Sequence, residues 1–213
     1  MKSFSVLTVS KRTGWEKIAN EQMKAQPEPE KWVIIQEGVN APEQIRASNL
    51  NASLNEGLKQ IDSDYVIFFQ DFIELPVGCF KRLLNLVDEN TFVTTCTPNY
   101  DGTDDIRYTG IDRPRPCTPQ EWEANVSIAP MKIIKELGGF DEEYDNGWSW
   151  DNVNLAERAS MLGCRFILDE SNRPKLLPHE QTSKLEMEPN ALFHQQNMMK
   201  IRMGVKPLKC QYL

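Results

Sequence analysis

The chain has 213 residues, of which 40% are hydrophobic and 26% charged, with a formal net charge of −7. That length supports one sizeable domain with a buried core. The acidic balance, with an isoelectric point near 5.0, argues against a broad duplex-DNA footprint, which requires a basic face.

The opening "MKSFSVLTVSKR" has too short an apolar run for a signal peptide or a membrane span. Within it, "SFSVLTVS" reads as a buried strand rich in β-branched residues. "TGWEKIANEQMKAQ" reads as a helix with Thr13 as its N-cap, broken by "PEPE". "KWVIIQEG" is a second strand. In "APEQIRASNLNASLNEGLKQI", Ala47, Leu50, Leu54, Leu58 and Ile61 recur at spacings of 3, 4, 4 and 3, one face of a helix. "DYVIFFQDF" is a third strand, apolar enough for burial on both faces. This rhythm predicts an α/β sheet, largely parallel at this end.

"PVGCFKRLLNLVDEN" reads as a helix and "FVTTCT" as a strand. Residues 98–119, rich in Asp, Gly, Pro and Arg, read as a long irregular excursion of the kind that often carries function. "APMKIIKELGG" is a helix closed by glycine. "WDNVNLAERASMLG" is a further helix, "CRFILD" a strand, and "PNALFHQQNMMKIRM" a helix in a polar tail. No linker divides the chain. The five cysteines (79, 96, 117, 164, 210) show no Cys-x-x-Cys spacing and read as reduced structural thiols of a cytoplasmic protein.

Ligands of open α/β sheets sit at the carboxyl ends of the strands, which singles out Ser10, Arg12, Glu37 and Asp71. Asp71 is placed either to meet a metal or phosphate-bound cation or simply to cap the turn before Pro76. In "NGWSWDNVNLAER", Asp151 opens a helix whose dipole favours an ionised carboxylate, either as a cap or as a proton acceptor for a substrate hydroxyl. Trp148 and Trp150 beside it suit the C–H face of a sugar ring, or equally a core that covers the helix end. His179 and His194 lack metal-ligand spacing, and no Walker loop, Gly-x-Ser-x-Gly or Gly-x-Gly-x-x-Gly is present.

The stretch "APMKIIKELGGFDEEYDNGWSWDNVNLAERASMLGCRFIL" resembles the second half of the nucleotide-sugar-binding domain of family-2 glycosyltransferases. It also resembles the carboxyl-terminal segment of β-1,4-galactosyltransferases. The shared elements are the run from Gly138 to Glu142, Gly147–Trp148, the pair Asp151–Asn152, Leu155 and Arg158. More loosely, "SVLTVSKR", "KWVIIQEG" and "SLNEGLKQIDSDYVIFFQDFIELP" resemble the strands and helix that lead to the family's Asp-x-Asp motif.

The resemblance implies a single GT-A, Rossmann-like domain with a mixed, mainly parallel sheet flanked by helices. Residues 1–97 would form the nucleotide-binding half, 98–180 the acceptor and catalytic half, and 181–213 a tail. It implies a Mn²⁺ or Mg²⁺ ion, a nucleoside-diphosphate sugar, expected to be a UDP-sugar, and an inverting hexosyltransferase-like reaction. The acceptor is not implied. By position, Thr8, Ser10, Arg12, Glu37 and Gln70 would bind the nucleotide, and Asp71 and His179 the metal. Asp151 would be the base, and Trp148, Trp150 and Asn152 would line the acceptor side.

Two departures stand out. "FQDFIE" replaces Asp-x-Asp: a register counted back from Pro76 puts Phe69 and Asp71 on the two aspartates, and one a residue later puts Gln70 and Phe72 there. Where the family carries its base, this chain has Asn152, which takes no proton at neutral pH, so Asp151 is the acid that remains. These departures keep open a GT-A-like domain without transferase activity, serving as a nucleotide or glycan binding module. Nucleotidyl transfer is a further rival, although "SKRTGW" is short and glycine-poor for it.

Overall fold

A computed structural model describes residues 2–10, 14–36, 50–98, 102–146, 149–177 and 190–213. The opening apolar run forms β1 (Phe4–Ser10), followed by α1 (Trp15–Met23), β2 (Lys31–Gln36), α2 (Leu50–Leu58) and β3 (Tyr65–Phe69). Next come β4 (Ile73–Glu74), α3 (Cys79–Leu86), β5 (Thr91–Thr95), β6 (Pro114–Pro116) and β7 (Val126–Pro130). The chain continues through α4 (Met131–Leu137), α5 (Asp151–Met161), β8 (Arg165–Asp169), β9 (Lys175–Leu176) and α6 (Ala191–Arg202).

Seven strands form one sheet in the order β2-β1-β3-β7-β5-β8-β6, and β4 pairs with β9 in a small second sheet. β1 runs parallel to β2 and β3, and β5 parallel to β8. β7 is antiparallel to both β3 and β5, and β6 antiparallel to β8. The sheet is therefore mixed and mainly parallel, with helices on both faces, as the resemblance implied.

Successive strand residues point to opposite faces, and the core divides accordingly. Leu7, Val66 and Phe68 pack beneath α2, α4 and α5, with Leu54, Ile134 and Leu155 among the buried partners. Phe4, Val6, Ile67 and Phe69 pack beneath α1 and α3, with Trp15, Ala19, Phe80 and Leu83. Burial on both sides explains why β3 reads as an unbroken apolar run.

Several expectations need correction. The N-cap of α1 is Gly14, at φ 84°, and not Thr13. Left-handed backbone is a conformation glycine enters at little cost. Ile61 lies in the turn after α2, yet it is buried with Leu54 and Leu58 as the spacing implied. Residues 98–119 are not wholly irregular. They contribute β6, whose two prolines are tolerated because it is an edge strand, and a 3₁₀ turn at Pro119–Glu121. β7 was not anticipated. Its five residues, VSIAP, abut α4 without a break, and they fill the centre of the sheet.

The Gly138–Gly139 pair follows from close packing. Both have positive φ, and a Cβ on Gly138 would stand 1.9 Å from the Cys210 carbonyl oxygen. A Cβ on Gly139 would stand 2.3 Å from Asn55 Oδ1. Arg158, fully buried, donates to the carbonyl oxygens of Leu137 and Gly139 at 2.9 and 2.7 Å and to Asn154 Oδ1 at 2.9 Å. It thereby satisfies the carbonyls left open at the end of α4. The Arg at this position of the motif holds two helices together.

Candidate active site

The carboxyl ends of the parallel strands gather the candidate chemistry on one edge. β1 and β3 pair with a constant offset of 61 residues, Phe4 with Tyr65 through Leu7 with Phe68. Carried past the strand ends, that offset sets Ser10 beside Asp71, and Ser10 Oγ donates to Asp71 Oδ2 at 2.8 Å. Both side chains continue the face that carries Val6 and Phe69, above the edge-on pair of Trp15 and Trp32. Thr8 lies deeper, fully buried, where its hydroxyl oxygen accepts the Trp32 indole N–H at 3.1 Å. Gln70 is half-buried, and its backbone N–H donates to the Asn125 carbonyl oxygen at the start of β7.

That pairing brings in residues the sequence reading missed. Asn125 Nδ2 donates to Glu123 Oε2 at 3.0 Å, and Arg107 Nη2 lies 3.1 Å from the same oxygen. Burial pushes the Glu123 carboxyl above its ordinary range against the opposing pull of Arg107. Arg107 is also held by Asp105 and by the carbonyl oxygen of Glu121. The excursion carrying Arg107 is fastened to the end of β8. Buried Glu170 accepts from Thr109 Oγ1, from the Ile111 N–H and from Arg115 Nε at 2.8, 3.2 and 2.6 Å. The register of β7 against β3 was the missing signal, because it alone brings 123–125 alongside 70–72.

The second group of candidate residues lies at the turn into α5. Asp151 is the first helical residue and Trp150 is the N-cap, at φ 71°. Ser149 precedes it at φ 66°. Two consecutive non-glycine residues in left-handed backbone cost about 1–3 kcal/mol each and persist only where their surroundings enforce them. Here the Asn190 amide donates to the Ser149 carbonyl oxygen at 3.1 Å, and the Trp150 carbonyl oxygen accepts the Asn154 N–H at 2.8 Å. The Trp150 ring is stacked on His194, with centroids 5.0 Å apart.

At Asp151 burial outweighs the local pull of the helix start. Burial pushes its carboxyl above the usual range, nearby Asp145 adds to the rise, and the backbone N–H groups of Asn152 and Asp151 offset them only in part. Asn152 follows in the first turn, half-buried. His194, which lacked metal-ligand spacing in the sequence, is 4% exposed and hydrogen-bonded to Tyr144 Oη at 2.8 Å.

Arg12, Glu37, Trp148 and His179 lie outside the described residues. Among the described residues, no group of three or more His, Cys, Asp or Glu side chains is gathered as a metal cage. Asp71 supplies one carboxylate at the strand edge. That fits a Mg²⁺- or Mn²⁺-type cation shared with substrate phosphates, which needs only one or two carboxylates from the protein. No helix among the described residues is long and apolar enough to cross a membrane.

No protein-family model matches the chain, and no curated protein sequence does. Solved structures match in fold. S. aureus TarS 1-349 in complex with UDP-GlcNAc superposes with a TM-score of 0.69 at 13% identity, over 96% of this chain and 66% of that one. S. aureus TarS gives 0.62 at 14% identity, over 84% of this chain and 37% of its own. GalNAc-T7 with UDP, GalNAc and Mn2+ gives 0.62 at 13% identity, over 85% and 45%. This chain thus spans between 37% and 66% of the length of these structures. Its architecture is the α/β fold of the GT-A glycosyltransferases.

Proposed function

We propose that the chain is a glycosyltransferase that moves a sugar from a nucleoside-diphosphate sugar to an acceptor hydroxyl with inversion at the anomeric carbon. The observation that carries this reading is the Ser10–Asp71 pair at the carboxyl ends of adjacent parallel strands, in a GT-A fold. The structural neighbours bound to UDP, UDP-GlcNAc, or UDP with GalNAc and Mn2+ support a UDP-sugar as donor. The motif from Gly138 to Arg158, with its likeness to β-1,4-galactosyltransferases, adds to that support.

In this reading Ser10 and Gln70 line the nucleotide side, with Arg12 and Glu37 as further candidates and Thr8 beneath them. Asp71, with His179 as a candidate partner, would hold a divalent cation. When bound, that cation would neutralise charge on the departing diphosphate. Asp151 accepts the proton of the acceptor hydroxyl. The freed oxygen attacks the anomeric carbon from the face opposite the diphosphate, and the carbon–oxygen bond to the diphosphate breaks as the new glycosidic bond forms. A carboxyl with a raised proton affinity is the stronger base for that step. Trp150, with Trp148 and Asn152, would border the acceptor.

A second reading is a nucleotide-binding module without transfer. It draws on Phe69, which is 2% exposed in the core where the family has an aspartate, and on Asn152. Calorimetric titration of UDP, GDP and CDP, with Mn²⁺ and then with a chelator, tests the donor site. Incubation with UDP-sugars then separates the two readings. Release of UDP supports the transferase, and nucleotide binding without any turnover supports the module.

A further inference from the structure

The helix at the carboxyl end of the chain packs against the turn that carries Asp151. His194 of α6 is buried, and each edge of its ring is engaged. Nδ1 meets Tyr144 Oη at 2.8 Å, and Nε2 lies 3.7 Å from Glu157 Oε2 on α5. Asn197 Nδ2 donates to Tyr144 Oη at 3.3 Å. In the tautomer protonated at Nε2, the Tyr144 hydroxyl donates to Nδ1 and Nε2–H faces Glu157. The ring is thus held at both ends, and its face is laid on the Trp150 indole at 29° between planes.

Trp150 is the residue whose left-handed backbone sets where α5 begins. On the same helix as His194, the N-cap residue Asn190 donates to the carbonyl oxygens of both Tyr144 and Ser149. Backbone in this conformation stays put only when neighbours over-determine it, and α6 supplies those neighbours.

We infer that His194 is a positioning residue: its imidazole face clamps Trp150, and through Trp150 it fixes the direction in which Asp151 projects. The inference rests on the transferase reading for its consequence in turnover, but the clamp itself is a property of the fold. Among the described residues, the charged and titratable groups facing His194 are Glu157 on α5, Tyr144 on the preceding turn and Arg202 on α6. Burial holds the imidazole below its ordinary range, against the pull of Glu157.

The test compares two variants that divide the ring's roles. His194→Phe keeps an aromatic face for Trp150 and loses both polar edges. His194→Gln keeps a polar partner for Tyr144 and loses the face. Turnover, the Kd for UDP with Mn²⁺, and the titration of the Asp151 carboxyl by ¹³C NMR are read for each, with folding checked by thermal melts.

The expected result is that His194→Gln loses about tenfold or more in kcat, because small misplacements of a reacting group are costly. Its UDP affinity stays within about twofold of the parent, as expected for a group that acts on geometry alone. The Asp151 titration falls toward the ordinary carboxylate range as the turn opens to water. His194→Phe keeps most of the turnover and leaves the Asp151 titration in place. Equal losses in both variants, or an Asp151 titration unmoved in His194→Gln, would overturn the clamp. A parent protein that releases no UDP from any UDP-sugar, yet shows the Asp151 shift in His194→Gln alone, sinks the transferase reading and leaves the clamp standing.

Discussion

Ser10 and Asp71 meet because β1 and β3 keep an offset of 61 residues, so that the two strands end as a matched pair of polar side chains, 2.8 Å apart. The hydroxyl donates, so the carboxylate is oriented before any ligand arrives. Asp71→Ala is expected to weaken Mn²⁺-dependent UDP binding by about tenfold or more, the scale on which lost metal ligands and their supports act. Ser10→Ala, which removes the orienting bond to Asp71, costs about threefold, the low end for a single net hydrogen bond. Calorimetry on both variants, with and without chelator, checks the order. Equal affinity in Asp71→Ala and the parent would remove Asp71 from the site.

Asp151→Asn tests the base directly. Loss of about a hundredfold or more in kcat is expected, with UDP affinity nearly unchanged. The same variant carries a signature in stability. The Asp151 carboxyl titrates higher in the folded chain than in the unfolded one, so the stability it contributes is fully present below about pH 3.9, its unfolded value. That contribution is lost as pH rises through the folded value. Asp151→Asn should therefore melt higher than the parent near about pH 8 and converge with it near about pH 4. In the parent, the acid limb of kcat should lie above the ordinary carboxylate range.

Glu170 anchors the excursion that carries Arg107, the partner of Glu123. Arg115 and Thr109 outweigh the effect of burial and draw its carboxyl below the usual range. Its contribution to stability is thus present above its unfolded value, about pH 4.3, and is lost as pH falls through the lower folded value. Glu170→Gln leaves Arg115 with Glu121 as its acidic partner among the described residues. It should cost about 1–3 kcal/mol, the range for weakened hydrogen bonds to a charged group, since Arg115 keeps an acidic partner. Urea unfolding gives that number, and limited proteolysis should cut first within residues 102–113.

Gly138→Ala and Gly139→Ala each demand that backbone or a buried amide move, since the added carbon would lie 1.9 Å from the Cys210 carbonyl oxygen or 2.3 Å from Asn55 Oδ1. A loss of about 2–3 kcal/mol or more is expected for each. Gly163→Ala serves as the comparison. It also has positive φ but meets nothing within 4 Å, and should cost about 1 kcal/mol.

How legible each part was follows from the range of the forces that build it. β1, β3 and α4 could be read because their burial is written in local runs: TyrValIlePhePhe is apolar throughout, and Gly138 ends its helix with a left-handed cap. β7 escaped because a five-residue strand with serine at its second place, joined directly to a helix, carries no local boundary. Asp71 could be placed at a strand end, but its bond to Ser10 depends on register. Asp151 was placed at a helix start, yet the sign of its shift was misjudged, because burial by distant segments outweighed the local dipole. Glu123, Arg107 and the His194–Trp150 stack involve partners separated by 16 to 44 positions in the sequence. Spacing along the chain does not encode such contacts.

The insertion of β7 between β3 and β5 has a consequence for how the chain can be divided. The strands before residue 97 and those after it interleave within one hydrogen-bonded ladder. A polypeptide released or truncated near residue 97 would leave the apolar β3 with a bare edge and β5 with neither of its sheet neighbours. Such edges recruit other chains. Partial products of this sequence should therefore appear as aggregates in a cell, and the ability to hold a ligand should arise only once β7 has been synthesised and has closed the gap.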